Sequence, residues 1–228
     1  MDSRLNAKEK HHALALYIVL AGLFIASLVV CNLIANKFIS LDLGFYTFVL
    51  SAGVLPYPIT FLITDFLSEF YGRKRTNYVI LSGFIALIFV LFVIWLGSQF
   101  NSIENSPISD SSYDLLFGNS QRVIFASMAA YLFAQLIDVR IFHFWKKVTS
   151  GRHLWLRNNF STIISQLVDT TLVVGIIFID TESFGTIGKM ILDGWLFKIL
   201  CAVFDTPIMY IGSWLFKLKF KISEIQYR

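Results

Sequence analysis

Within the apolar stretches of the chain, six ionisable side chains are expected far from water: Asp65, Glu69, Asp138, Asp169, Lys198 and Asp205. A charge at the centre of a bilayer costs about 2.5–3.5 kcal/mol on insertion scales, so such groups face a polar interior, water or one another. Two of the carboxylates follow an amide by three residues, in Gln135-Leu136-Ile137-Asp138 and Gln166-Leu167-Val168-Asp169. On a helix this spacing places amide and carboxylate on one face. The pair suits a planar ligand edge that alternates donors with an acceptor, as a guanine-type Watson–Crick edge does. The carboxylate would accept two adjacent N–H groups while the amide NH₂ donates to the ring carbonyl. A carboxylate at this depth is equally suited to carrying a proton. Tyr131, Phe133, Trp195 and Phe204 are the aromatics placed to stack on a bound ring. The candidate binding residues are therefore Gln135, Asp138, Gln166 and Asp169, followed by Asp65, Asp205 and Lys198. Glu69 lies one turn from a helix end and is expected to snorkel to the interface. Lys198 has three expected outcomes: the outer interface, a pair with Asp205 at i+7, or the ligand.

Other chemistries lack their residues. The histidines, His11, His12, His143 and His153, all fall at or beyond cytoplasmic ends of the apolar runs, which leaves no imidazole at depth for a serine nucleophile or a metal. Gly185-Thr186-Ile187-Gly188-Lys189 lacks both the earlier glycine and the following Ser/Thr of a phosphate loop, so ATP is not bound in that manner. Cys31 and Cys201 sit within apolar runs and provide neither a disulfide framework nor a zinc site. No cofactor is expected.

The elements that must position these residues follow from composition. The chain has 228 residues, of which 56% are hydrophobic and only 15% charged, with a mean hydropathy of +0.68. Six apolar runs cover residues 14–34, 44–71, 78–98, 121–144, 160–179 and 187–216, and a crossing helix needs about 20 residues. The first is too long for a secretory h-region and is kept as a span. Its Gly22 and Ala26 form a small-xxx-small patch expected to serve internal packing. The second run carries Gly53, Pro56 and Pro58, which predicts a break: a short outer piece over 45–55, then a helix over 58–71 with proline in its first turn. Asp205-Thr206-Pro207 predicts a milder interruption in the sixth. Of the 19 Lys and Arg residues, one set of alternate loops holds all but Lys37, Arg122, Lys189 and Lys198. Positive residues stay cytoplasmic, so both termini are expected there. The prediction is an all-α polytopic membrane protein of six transmembrane helices, one integral membrane domain over 1–228, multi-pass in the cytoplasmic membrane.

Several motifs, in order, resemble the queuosine precursor transporter family, also called vitamin-uptake-like transporters. Pro58-Ile59-Thr60-Phe61 with Asp65 and Gly72 is similar to the family's second-span element, and Gln135-x-x-Asp138-Val139 with Phe142 to its fourth-span signature. Trp155, Ser161-Thr162 and Asp169-Thr170 resemble the fifth, and Phe197-Lys198, Pro207 and Met209-Tyr210 the sixth. The resemblance implies a six-span importer of 7-deazaguanine bases such as preQ0, preQ1 or queuine, for salvage into tRNA queuosine. It implies base recognition or proton handling by Gln135, Asp138 and Asp169, with Asp65 and Lys198 as further cavity residues. Expected partners are the nucleobase and the bilayer, with no nucleic acid; a homo-oligomer or an energising subunit is compatible. Two alternatives come from other classes: a substrate-binding subunit of an ATP-driven vitamin uptake complex, and a membrane-embedded aspartyl hydrolase. The second lacks a Gly-x-Gly-Asp element.

Overall fold

A computed structural model describes residues 5–35, 37–42, 44, 47–118 and 121–221. Arg4 and Arg228 of the charge-sorted termini and Phe45 at the head of the expected outer piece lie outside the described residues. The chain is predominantly helical, with seven α-helices and one two-stranded sheet among the described residues. Helix α1 (Ala7–Leu33) begins at a capping box, in which Asn6 Oδ1 accepts from Glu9 N–H and the Glu9 carboxylate accepts from Asn6 N–H, both at 2.9 Å. Helices α2 (Tyr57–Phe70) and α3 (Arg73–Ser98) are joined at Gly72, whose φ of +79° is open to glycine at little cost. A short helix, α4 (Asp110–Phe117), folds back on α3, where Tyr113 OH donates to Ile94 O. Helices α5 (Gln121–Val148), α6 (Leu154–Phe178) and α7 (Phe184–Phe220) complete the chain. Three of these, α1, α3 and α6, are long and apolar enough to cross a membrane by length and composition.

The residues before α2 depart from the all-α expectation. Strands β1 (Phe38–Asp42) and β2 (Thr47–Ser51) form an antiparallel hairpin in the register Phe38 to Ser51 and Asp42 to Thr47. A 3₁₀ turn (Ala52–Val54) follows, and α2 starts at Tyr57 after Pro56, with Pro58 in its first turn. From Thr47 on, the expected outer piece is thus strand and 3₁₀ turn. The physical reason is a period of two within the apolar run: Phe48 and Leu50 share one face and are buried against Phe197 of α7. Gly53 permits a close approach to α1, since a Cβ there would lie 2.3 Å from Cys31 O.

Two further expectations change. Pro207 stands inside α7 without ending it, and the helix continues for 37 residues. Thr206 donates its hydroxyl to Ala202 O one turn back and accepts from the Asn159 amide at 2.7 Å, which ties the proline-weakened turn to α6. Gly22 has nothing within 4 Å of where a side chain would start, so the small-residue patch of α1 is not used inside the fold. Tight packing occurs instead at Gly83, where a Cβ would meet the Phe24 ring and Tyr131 OH at 2.8 and 2.9 Å. The main core joins α1, α2, α3, α5 and α7 through Phe24, Leu67, Phe70, Ile80, Tyr131 and Phe216. Helix α2 sits inside this arrangement, packed by α1, α3, α5 and α7. It is the element that carries the site.

Candidate functional site

Helix α2 presents Tyr57, Thr60, Thr64, Asp65, Ser68 and Glu69 along one side, a polar stripe about 18 Å long at 1.5 Å per residue. Its threonines first satisfy themselves locally. Thr60 donates to Tyr57 O at 2.6 Å, and Thr64 to Thr60 O and Phe61 O at 3.1 and 3.0 Å. The remaining polar capacity of the stripe is met by α5, α6 and α7 in successive layers.

At the N-terminal end of α2, Asp169 of α6 accepts from Tyr57 OH at 2.7 Å and from Lys198 Nζ of α7 at 2.6 Å. Lys198 also donates to Thr170 Oγ1 at 3.1 Å, and its ammonium lies 4.9 Å from the centre of the Tyr57 ring. At the other end, Glu69 accepts from Arg157 Nη2 at 2.6 Å and is 3.5 Å from Lys146 Nζ, which in turn donates to Glu69 O. Arg157 is 2% exposed, donates to Gly151 O and Arg152 O, and lies over the Phe142 ring. The two ends of the stripe are therefore closed by buried ion pairs.

Between them the contacts are neutral or acidic. Gln135 of α5 accepts from Thr64 at 3.1 Å and donates to Thr60 at 3.3 Å. Ser165 of α6 donates to Asp138 Oδ1 at 2.9 Å, and Thr162 to Asp65 Oδ2 at 3.4 Å. The carboxyl groups of Asp65 and Asp138 lie within hydrogen-bonding reach of each other, and Ser161 also reaches Asp138. Asp65 is 1% exposed and Asp138 fully buried. Apart from the contact that the Asp65 and Asp138 carboxyl groups make with each other, four buried oxygens, Asp65 Oδ1, Asp138 Oδ2, Asn158 Oδ1 and Gln166 Oε1, receive no N–H or hydroxyl donor from the described residues. Buried acceptors of this kind are costly when unmade. Chemically, such oxygens can accept from N–H or O–H donors.

Of the predicted residues, Gln135, Asp138, Gln166, Asp169 and Asp65 are buried and converge on this interior, and Lys198 joins them through Asp169. Asp205 is half-buried on α7, close enough to Asp65 for their charges to interact. The two amide–carboxylate pairs do not act alike: Asp169 is taken by Lys198 and Tyr57, whereas Asp138 meets another carboxyl and hydroxyls. Lys198 pairs with Asp169, neither with Asp205 nor at the outer interface. Glu69 does not snorkel, because Arg157 and Lys146 reach it inside the fold. Phe133 and Phe204 point outward at 57% and 68% exposure, Tyr131 OH is bound to Ile80 O, and Trp195 donates to Ile163 O. None of the four stacks over the cluster; the ring beside it is Tyr57. Sequence reasoning missed Tyr57, Thr60, Thr64, Ser165 and Arg157. For Tyr57, Thr60 and Thr64 the available signal was the polar period of residues 57–69, one polar residue every three or four; Ser165 and Arg157 lie on α6, outside that pattern.

A cavity of about 480 Å³ lies elsewhere, lined by Val29, Asn32, Ser51, Leu91, Ser127 and Val174 among others. It is mostly apolar, and Asn32 and Ser127 in its wall bond to each other at 3.0 Å. None of the seven predicted site residues lines it.

The family described as "Putative vitamin uptake transporter" matches residues 51–212. The chain is 29% identical over 162 residues to a "Probable queuosine precursor transporter" of Bacillus subtilis (strain 168), covering 71% of this chain and 70% of the relative. It is 26% identical to a protein of the same description from Haemophilus influenzae, over 55% of this chain and 51% of that one. It is 27% identical to the "Queuosine precursor transporter" of Escherichia coli (strain K12), over 56% and 53% respectively. The chain thus spans about half the length of these last two relatives. No solved structure matches. Although Asp65 and Asp138 stand together as a hydrolytic dyad would, the matched family is one of transporters and not of enzymes. The matched segment takes in every layer of the polar stripe from Tyr57 to Lys198, and the chain belongs to the vitamin uptake transporter family.

Proposed function

We propose that the chain imports 7-deazaguanine bases such as preQ0, preQ1 or queuine across the cytoplasmic membrane, for salvage into tRNA queuosine. The observation that carries this reading is the set of buried acceptors on α2, α5 and α6 that receive no N–H or hydroxyl donor from the described residues: Asp65 Oδ1, Asp138 Oδ2, Asn158 Oδ1 and Gln166 Oε1. A deazaguanine offers an exocyclic NH₂, a ring N1–H and a pyrrole N–H on one flat frame, which is the donor set such oxygens accept. In this reading Asp138, Asp65 and Gln166 hold the base, with Gln135 positioned by Thr60 and Thr64 beside them. Asp169 and Lys198 close the site on one side and Asp205 adds negative charge from α7. The names of the relatives support the substrate class.

The same reading places six crossings in the membrane. Helices α1, α3, α5, α6 and α7 each cross, and the short α2 crosses together with the hairpin that precedes it, broken at Pro56 and Pro58. Both termini are cytoplasmic, since the loops that carry most of the Lys and Arg share that side. The Asp169–Lys198 layer then faces outward and the Glu69–Arg157 layer inward. The apolar cavity beside the outer part of α1 is the approach. The test is uptake by cells unable to make queuosine, read as wobble-base modification of tRNA for each base supplied. Expression of the chain restores modification with at least one 7-deazaguanine; no restoration with any of the three overturns the reading.

A further inference from the structure

All the cations of the polar stripe are committed to its two ends. Lys198 is held by Asp169 at 2.6 Å, and Arg157 and Lys146 are held by Glu69 at 2.6 and 3.5 Å. The middle layer keeps two carboxyl groups within hydrogen-bonding reach and gives them only hydroxyl donors, Ser165 at 2.9 Å, Thr162 at 3.4 Å and Ser161. The other groups facing the pair are neutral or acidic. From α6 they are the amides of Asn158 and Gln166, from α5 Gln135, and from α7 the carboxylate of Asp205. From α3, Thr76 accepts from Ser68, one turn along α2 from Asp65, and donates to Gly72 O. His143 stands on α5 beyond Phe142, toward the Glu69 end. Two buried carboxylates in contact, with a third acidic group nearby and no cation paired with them among the described residues, repel strongly unless a proton lies between them. A hydrogen bond between two carboxyl groups also requires that one of them carry hydrogen.

We propose that Asp65 and Asp138 form a proton-binding site that holds one proton between them and moves it inward with each base. The proposal rests on the import reading above and names what drives it. The proton arrives from water on the outer side, is carried on a carboxyl oxygen of the pair, and leaves to water on the inner side. No covalent bond of the base changes. With a neutral base, one positive charge crosses per cycle. The bracketing ion pairs fit this role: each closes one end of the stripe, and both must not open together if the proton is to travel with its cargo.

The experiment uses the purified full chain in proteoliposomes with preQ0, a neutral base, as probe. With the membrane potential clamped at zero and the outside one pH unit more acidic, one proton per base supports about tenfold accumulation. A pH-sensitive dye inside should count one proton entering per preQ0. Base entry that stops at the outside concentration, with no proton movement, overturns the proposal. A second readout needs no ligand. The infrared carbonyl band of a protonated carboxyl group is expected at neutral pH, diminished in Asp65→Asn and in Asp138→Asn and retained in Asp138→Glu. A band that is absent from the parent protein, or unchanged in both Asn variants, overturns the site. A parent protein that shows the band but moves none of preQ0, preQ1 and queuine refutes the import reading while leaving the proton site standing, so the two failures are distinguishable.

Discussion

Asp169 and Lys198 meet at 2.6 Å with side chains 5% and 10% exposed, and in so apolar a setting neither tolerates the loss of the other. Removing one member of a buried pair costs about 3–5 kcal/mol, because a charge is left unpaired. Asp169→Asn is therefore expected to lower thermal stability in detergent and to weaken base uptake sharply while the protein still inserts. Asp169→Asn combined with Lys198→Met should recover much of the stability and none of the uptake. Thermal unfolding of the two single variants and the double variant measures the coupling; additive losses would show that the pair is not an interaction. At this scale the sequence announced which residues are out of place in hydrocarbon but not whom they meet. Glu69 was legible as an acid near a helix end, yet its partner Arg157 is 88 positions away and reads locally as one more basic residue of a loop. Tyr57 was unreadable for the same reason: its role depends on Asp169, 112 positions on.

Helix α2 spans 14 residues, about 21 Å, which is shorter than a hydrocarbon core of about 30 Å. In the proposed six-crossing arrangement the hairpin and 3₁₀ turn occupy the remaining distance, and Gly53 lets the turn approach α1 closely. Gly53→Ala is expected to push this segment off the Cys31 carbonyl, because the neighbour is backbone and cannot rotate away. Overpacking of this type costs about 1–3 kcal/mol. A lowered unfolding temperature with uptake reduced in parallel checks it; an unchanged protein would mean that the 3₁₀ turn is free to shift. Helices α1, α3 and α6 were legible from run length as long and apolar enough to cross a membrane. The hairpin was not, since a continuous apolar run does not by itself distinguish buried strand from buried helix. The burial of Phe48 and Leu50 depends on Phe197, which lies far along the chain.

The whole molecule places an acidic middle layer between two ion-paired layers, all strung along the side of one short helix and completed by three others. This arrangement was partly legible: the convergence of Asp65, Asp138 and Asp169 on an interior follows from the cost of charge in hydrocarbon. The division of labour among them required the packing. Orientation is tested separately. Ser111 is exposed at the start of α4, and a cysteine placed there should react with an impermeant thiol reagent in intact cells; reaction only after lysis would invert the molecule. In the proposed reading, base, proton and helix contacts meet at Asp138. Cells unable to make queuosine, supplied with an external 7-deazaguanine and expressing Asp138→Asn at parental level in the membrane, should show tRNA wobble modification no higher than cells without the protein. Modification restored to the level given by the unaltered chain would contradict it.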